Sequence, residues 1–226
     1  MKTILALGLV CVSSALLLAQ SPSEVPAPPV DQEPHHHTVL KNDSVLVMHL
    51  TLPEGERTLY HTHTVDRLAI VLAGGPMTQQ KPNEEESAPN PIKVGDLLVS
   101  TIGAGPFVHR VHNVGQGALE LIDVEFLHRP AQPSPSTAAA VAAENPSARM
   151  YKWVLAPGAV SPMHTHERPY LIVAVNKMML KMTDPDGQSS SHEVQSGDFH
   201  WAGAKVTHSL ANAGATQGQI VEVELK

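Results

Sequence analysis

The sequence predicts an all-β protein made of two tandem barrels, and three observations lead there. Glycine (15) and proline (19) are frequent among the 226 residues and aromatic residues make up only 4%, which suits a turn-rich β protein better than a helical bundle. The apolar runs are short and bounded by turn residues, and outside one alanine-rich segment no long stretch shows helical periodicity. Finally, one half of the chain repeats the other. Gly55, His61 and His63 recur 103 residues later as Gly158, His164 and His166. Gly95-Asp96 recurs as Gly197-Asp198, displaced by 102, while His109 and Asn113 recur as His208 and Asn212, displaced by 99. The order is kept and the displacement drifts by only a few residues, as loop-length differences within a duplication would give.

The elements follow in order. Residues 1–19 read as an export signal: Lys2 gives a positive start, "ILALGLVCVSSALLLA" an apolar stretch short for a membrane span, and Ala19 a small residue for cleavage. Cys11 is the only cysteine and follows "GLV" rather than a small residue, so lipidation is not expected. The mature chain would then hold no disulfide and no thiolate ligand, and would be periplasmic or secreted in a bacterium. Residues 20–37, "QSPSEVPAPPVDQEPHHH", are expected as a disordered proline-rich spacer. Neighbouring side chains on a strand alternate sides, so His35, His36 and His37 read as surface residues.

The first barrel is expected over 38–128, with "SVLVMHLTL", "RLAIVLA", "GDLLVS" and "ALELIDVEF" as strands. The second is expected over 148–226, with "PYLIVAV", "GDFHWA" and "GQIVEVEL" in the matching places. The last strand of each copy alternates apolar with polar residues, as a strand with one face in a core should. Between the copies, 129–147 reads as a linker with one helical turn over "TAAAVAAE". About eight short strands per copy make a small sandwich or barrel. "NEEES" (83–87) reads as a solvated loop, and Trp153, Trp201, Met178 and Met182 as core.

The formal charge of −7 with no lysine or arginine cluster argues against a nucleic-acid partner. Once the signal is removed nothing calls for a membrane, which leaves a small-molecule ligand or substrate as the expected partner. Exposed sheet edges would allow a homodimer, although two barrels in one chain can satisfy that pairing internally.

The histidines carry the chemistry. Residues i and i+2 of a strand share a face, so His61 and His63 project together, as do His164 and His166. An antiparallel return strand would bring His109 to the first pair and His208 to the second. Three neutral imidazoles can hold one face of a divalent transition metal (Fe, Cu, Ni, Mn or Zn) and leave positions open for water or substrate. His112 alternates away from His109 on odd spacing and reads as exposed, His49, His128, His192 and His200 have no partner at useful spacing, and Asn113 and Asn212 suit strand ends.

These patterns resemble the two motifs of the cupin superfamily, G-x5-H-x-H followed by a glutamate and a glycine, then G-x5-P-x-G-x2-H-x3-N. The second copy gives "GAVSPMHTH" and "GDFHWAGAKVTHSLAN"; the first gives "GERTLYHTH" and "GDLLVSTIGAGPFVHRVHN", with three extra residues before His109. The resemblance spans roughly 38–128 and 148–226 and implies a bicupin with two jelly-roll barrels. It implies metal ligands His61, His63 and His109 in one barrel and His164, His166 and His208 in the other. The chain departs from the pattern where the motif's glutamate would stand, at Arg67 in the first copy and Tyr170 in the second. Asp66 and Glu167 are off register, so no glutamate ligand is carried over. Arg67 would pair with a bound anion, and Tyr170 would donate a hydrogen bond or, ionised, act as a ligand. The metal charge left uncompensated by three neutral ligands favours an anion or an acidified water. The resemblance implies a metal-dependent oxidoreductase of dioxygenase type acting on a small anionic or enolisable molecule. Its rivals are a non-catalytic metal or small-ligand binding protein, and a metal-dependent isomerase or lyase.

Overall fold

Eighteen strands and one short 3-10 turn make up the computed structural model, which describes residues 26–103, 105–129 and 141–226. The expected export signal (1–19) lies outside the described residues, as does most of the linker. In the first half the strands are β1 (His36–Lys41), β2 (Val45–Leu52), β3 (His61–His63), β4 (Arg67–Ala73), β5 (Gly75–Gln80), β6 (Asn90–Ile92), β7 (Leu97–Ser100), β8 (Phe107–Asn113) and β9 (Leu119–Phe126). The second half repeats them as β10 (Ala143–Glu144), β11 (Ala148–Leu155), β12 (His164–His166), β13 (Tyr170–Ala174), β14 (Met178–Thr183), β15 (Ser189–Val194), β16 (Phe199–Ala202), β17 (Val206–Asn212) and β18 (Gly218–Leu225). Among the described residues no helix is long and apolar enough to cross a membrane.

Each half is two antiparallel sheets with one topology. A five-stranded sheet runs β1-β2-β9-β4-β7 in the first half and β10-β11-β18-β13-β16 in the second. The facing four-stranded sheets run β3-β8-β5-β6 and β12-β17-β14-β15. These are two jelly-roll barrels, and the duplicated spacing in the sequence is a duplicated topology.

The two five-stranded sheets also pack on each other. Leu68, Ile70, Val124 and Phe126 of the first half form one buried cluster with Met150, Leu171, Val173 and Val223 of the second. Each large sheet is therefore buried on both faces, one toward its own barrel and one toward the other barrel. That is why "RLAIVLA" and "PYLIVAV" read as unbroken apolar runs. The two Gly-Asp turns lie at this junction. Lys152 Nζ donates to the Gly95 carbonyl at 2.7 Å. At Gly197, which has φ +84°, an added Cβ would strain the backbone and sit 3.1 Å from Leu72 Cδ1.

Three expectations are corrected. The spacer does not stay disordered up to residue 37. Val30–Gln32 form the 3-10 turn, Val30 is buried, and Pro29 bridges Thr62 in parallel, because Val30 packs with Leu46 and Met48. His36 is not a surface residue; it is buried and its Nδ1 lies 2.6 Å from Glu33 Oε2. In the linker, Ala143–Glu144 form a strand pairing with β11 rather than part of a helical turn.

Candidate metal centres

Both triads assemble. In the first barrel β3 pairs with β8 so that His61 lies opposite His109; in the second, β12 pairs with β17 so that His164 lies opposite His208. The short His-x-His strands put both side chains of each pair on the buried face, with the threonine between them partly exposed. His61, His63 and His109 form one group of mutually close ligand atoms, and His164, His166, His208 and Glu222 form another.

In the first barrel every imidazole is tied back through Nδ1. His61 Nδ1 is 2.9 Å from the Leu59 carbonyl, His63 Nδ1 2.8 Å from Glu125 Oε1, and His109 Nδ1 3.2 Å from Gln79 Oε1. Acceptors at Nδ1 favour the tautomer with a bare Nε2, the form a metal binds. His63 Nε2 and His109 Nε2 are 3.2 Å apart. Two nitrogens bound to one ion at about 2.1 Å stand about 3.0–3.4 Å apart, so this spacing fits a shared ion. Burial, aided by the charge of Arg67, pushes His109 down to about 2 and His63 lower still. Burial and the adjacent His36 push His61 down to about 4. All three are therefore neutral ligands at neutral pH. Burial, with Asp123 adding to it, pushes the Glu125 carboxyl up to about 8.

The second barrel is charged. Glu222 has no exposed side-chain surface, and its carboxylate lies 3.0 Å from His164 Nε2, 2.8 Å from His208 Nε2 and 3.3 Å from His166 Nε2. Burial would raise this carboxyl, but the three histidines hold it well below the usual range. Burial likewise opposes charge on the imidazoles, yet Glu222 raises His164 and, with Glu224, pushes His166 up to about 9. His164 Nδ1 faces the Pro162 carbonyl at 2.9 Å. Both ring nitrogens of His166 are buried without a hydrogen bond, although Glu222 stands 3.3 Å from Nε2 and Glu224 3.9 Å from Nδ1. An orphaned imidazole facing a carboxylate and two further Nε2 atoms fits a divalent ion better than it fits a purely structural network.

The other expected residues fall beside these groups. Arg67 pairs with Asp123 at 3.1 Å. Tyr170 stacks on His166 with ring centroids 3.9 Å apart, and its hydroxyl lies 3.3 Å from His208 Nδ1. Burial and the Glu222 charge push the phenol upward, which makes Tyr170 a neutral hydrogen-bonding group and not a phenolate ligand. Asp66 turns away, pairing with Arg129 and Ser147. Asn113 and Asn212 close strand ends: each donates to two carbonyls, those of Leu52 and Gly117 and those of Leu155 and Thr216.

Sequence reasoning missed several partners. Glu222 and Glu224 of β18, like Asp123 and Glu125 of β9, occupy the polar positions of the alternation, outside the face assigned to the core, yet they are buried while Val221 and Val223 meet the other barrel. Trp153, read as core, donates Nε1–H to Glu222 Oε2 at 2.6 Å. Glu86 of "NEEES" pairs with Arg57 and His112, each at 2.9 Å. The signal available was the alignment of the two copies: Glu222 falls on Asp123 and Glu224 on Glu125, acidic in both.

The clusters differ in access. A cavity of about 260 Å³ is lined by His61 and His109 together with Arg67, Gln79, Asp123 and His36. In the second barrel a cavity of about 300 Å³ is lined by Ile172, Leu180, Met182 and Phe199, without the histidine cluster, and another of about 310 Å³ meets the cluster at His208 alone.

No family model matches the chain. The cupin 2 conserved barrel domain protein of Leptotrichia buccalis superposes over 93% of both chains, with TM-score 0.52 and 15% identity. The fold is that of a two-domain cupin. Salicylate 1,2-dioxygenase of Pseudoaminobacter salicylatoxidans, solved as an adduct with gentisate, shares this bicupin fold with TM-score 0.54 and 14% identity over 82% of this chain and 70% of that one. In sequence, the β-alanine degradation protein BauB of Pseudomonas aeruginosa is 29% identical over 92 residues, which is 41% of this chain and 96% of BauB.

Proposed function

We propose that this chain is an exported bicupin that binds divalent transition metal in both barrels, and that the first barrel is a metal-dependent oxidoreductase of dioxygenase type acting on a small anionic or enolisable molecule. One observation carries the reading. Three buried imidazoles, each fixed through Nδ1, bring their ligand atoms together, and two of them, His61 and His109, line a cavity that also holds Arg67. The dioxygenase among the proteins of this fold supports the class of reaction. His61, His63 and His109 would hold the ion, which supplies Lewis acidity toward an anionic substrate and, where redox active, electron transfer. Arg67 would bind the substrate anion, and the apolar walls at Leu50, Met77 and Leu121 would exclude bulk water.

The second barrel favours a binding role. There Glu222 supplies a fourth donor and Tyr170 covers His166, leaving the ion fewer open positions. Elemental analysis of untagged residues 20–226, beside His61→Ala and His164→Ala variants, tests the proposal. About two ions per chain, lost site by site in the variants, is the expected result. No retained metal after refilling with iron, copper, nickel, manganese and zinc would overturn it.

A further inference from the structure

The second centre contains a contact that its four donors do not explain. Trp153 of β11 and Glu222 of β18 are diagonal neighbours on one face of the large sheet, since Trp153 stands opposite Ile220 and Tyr151 opposite Glu222. The indole reaches across that diagonal and donates Nε1–H to Glu222 Oε2 at 2.6 Å. Its ring lies 5.1 Å from that of His164, centroid to centroid, so it stands against the ligand group without belonging to it. An indole N–H gives a proton and accepts none, so the contact has one direction only.

The bond divides the two oxygens of Glu222. Oε2 accepts from Trp153 and lies 3.0 Å from His164 Nε2. Oε1 faces the other two imidazoles, 2.8 Å from His208 Nε2 and 3.3 Å from His166 Nε2. A carboxylate oxygen that accepts a charge-assisted hydrogen bond has less electron density to give a cation, and the bond also fixes the plane of the carboxylate. The first barrel has neither half of this arrangement. There Leu50 stands opposite Leu121 where Trp153 stands opposite Ile220, and the acid, Asp123, pairs with Arg67.

We propose that Trp153 is a positioning residue of the second centre: by holding Oε2 it limits Glu222 to one donor oxygen, Oε1, and so suits the site to zinc rather than to manganese(II). This rests on the reading of the second barrel as a metal site and names the kind of ion it takes. Three imidazole nitrogens and one oxygen match zinc, which takes four such donors, whereas manganese(II) is better served by more oxygen donors. With the indole N–H removed, both oxygens of Glu222 are free to face the ion, and the site gains the oxygen donor that favours manganese(II).

The test uses untagged residues 20–226 carrying His61→Ala, so that the second centre is the one read, with and without Trp153→Phe. That change keeps an aromatic ring and removes the N–H; Trp153→Leu, which copies Leu50 of the first barrel, serves where Trp153→Phe does not fold. Zinc outcompetes manganese(II) on imidazole donors in any case, so the diagnostic quantity is the change in their affinity ratio. Titrated against a competing chelator, the zinc-to-manganese ratio should fall at least about fivefold without the indole, the size of one net hydrogen bond of about 1 kcal/mol. The visible absorption of bound cobalt(II), strongest with four donors, should weaken in the same variant. A merely structural indole would change both affinities alike and leave the cobalt spectrum as it was; that result, or an unchanged ratio, overturns the proposal. In the same background Trp201→Phe leaves Trp153 as the only tryptophan, and copper(II) at the second centre should quench its emission. If copper(II) does not quench it and His164→Ala loses no metal, the underlying reading of the second barrel fails, a result separate from the ratio, and the proposal falls with it.

Discussion

Glu222→Gln separates a metal ligand from a counter-ion. The wild-type carboxylate sits 2.8–3.3 Å from three imidazole nitrogens, with no exposed side-chain surface. At an effective dielectric of about 20, a unit charge about 3 Å away interacts with it by about 5 kcal/mol. Keeping the carboxylate out of water costs several kcal/mol of that back, and the amide of glutamine still offers an oxygen. The net loss of metal affinity is then about 2–4 kcal/mol, or about 30- to 1,000-fold. Zinc titration against a competing chelator should show one site unchanged and one weakened in Glu222→Gln. His164→Ala should lose the weakened site, and His61→Ala the other. If Glu222→Gln keeps both sites within about threefold of wild type, Glu222 serves only to balance the histidine charge and the four-donor reading is wrong.

Three further outcomes follow from the same geometry. Phe126→Ala, at the centre of the cluster shared by the two barrels, should cost about 3–5 kcal/mol in urea denaturation, with both barrels unfolding in one transition. Asn212→Ala leaves the Leu155 and Thr216 carbonyls and the Gly214 N–H without their side-chain partner and should cost about 2–4 kcal/mol, read as a lower midpoint of thermal unfolding. Burial would raise the Glu33 carboxyl, but hydrogen bonds from His36 and His35 lower it from 4.5 to about 2. A folded value below the unfolded one means its stabilisation is full above about pH 5 and fades as the pH falls toward 2. Chemical denaturation across that range should show wild type losing about 2–3 kcal/mol more than Glu33→Gln does.

Much of the architecture was legible because the duplication fixes it twice. Gly55, His61 and His63, repeated in order as Gly158, His164 and His166, require the same turn and the same strand in each copy, and the strand pairings agree. What stayed hidden has one physical origin. The alternation in "LIDVEF" and "IVEVEL" is real, but the usual inference that its polar face meets water fails where the apolar face is claimed by a second barrel. The polar face then has only the barrel interior left, and Asp123, Glu125, Glu222 and Glu224 became interior acids. The N-terminal segment misled for a different reason: its prolines suit a solvated chain, and nothing local reveals that Val30 finds a pocket at Leu46 and Met48.

The two centres share six matched histidines and differ at a pair of positions set diagonally, two residues off register, on neighbouring strands. Arg67 with Asp123 in the first barrel stands where Tyr170 with Glu222 stands in the second. In the first barrel the acid pairs with the guanidinium rather than with the imidazoles, which burial keeps neutral. In the second the phenol carries no charge, the acid is one methylene longer, and its carboxylate reaches the histidines directly. One coupled exchange therefore sets both charge and access. A carboxylate moved from an arginine to three imidazoles strengthens the hold on a cation while removing the cation that would receive a substrate. The duplicated fold can thus set a carboxylate on the imidazoles in one copy and leave neutral imidazoles at a cavity wall in the other.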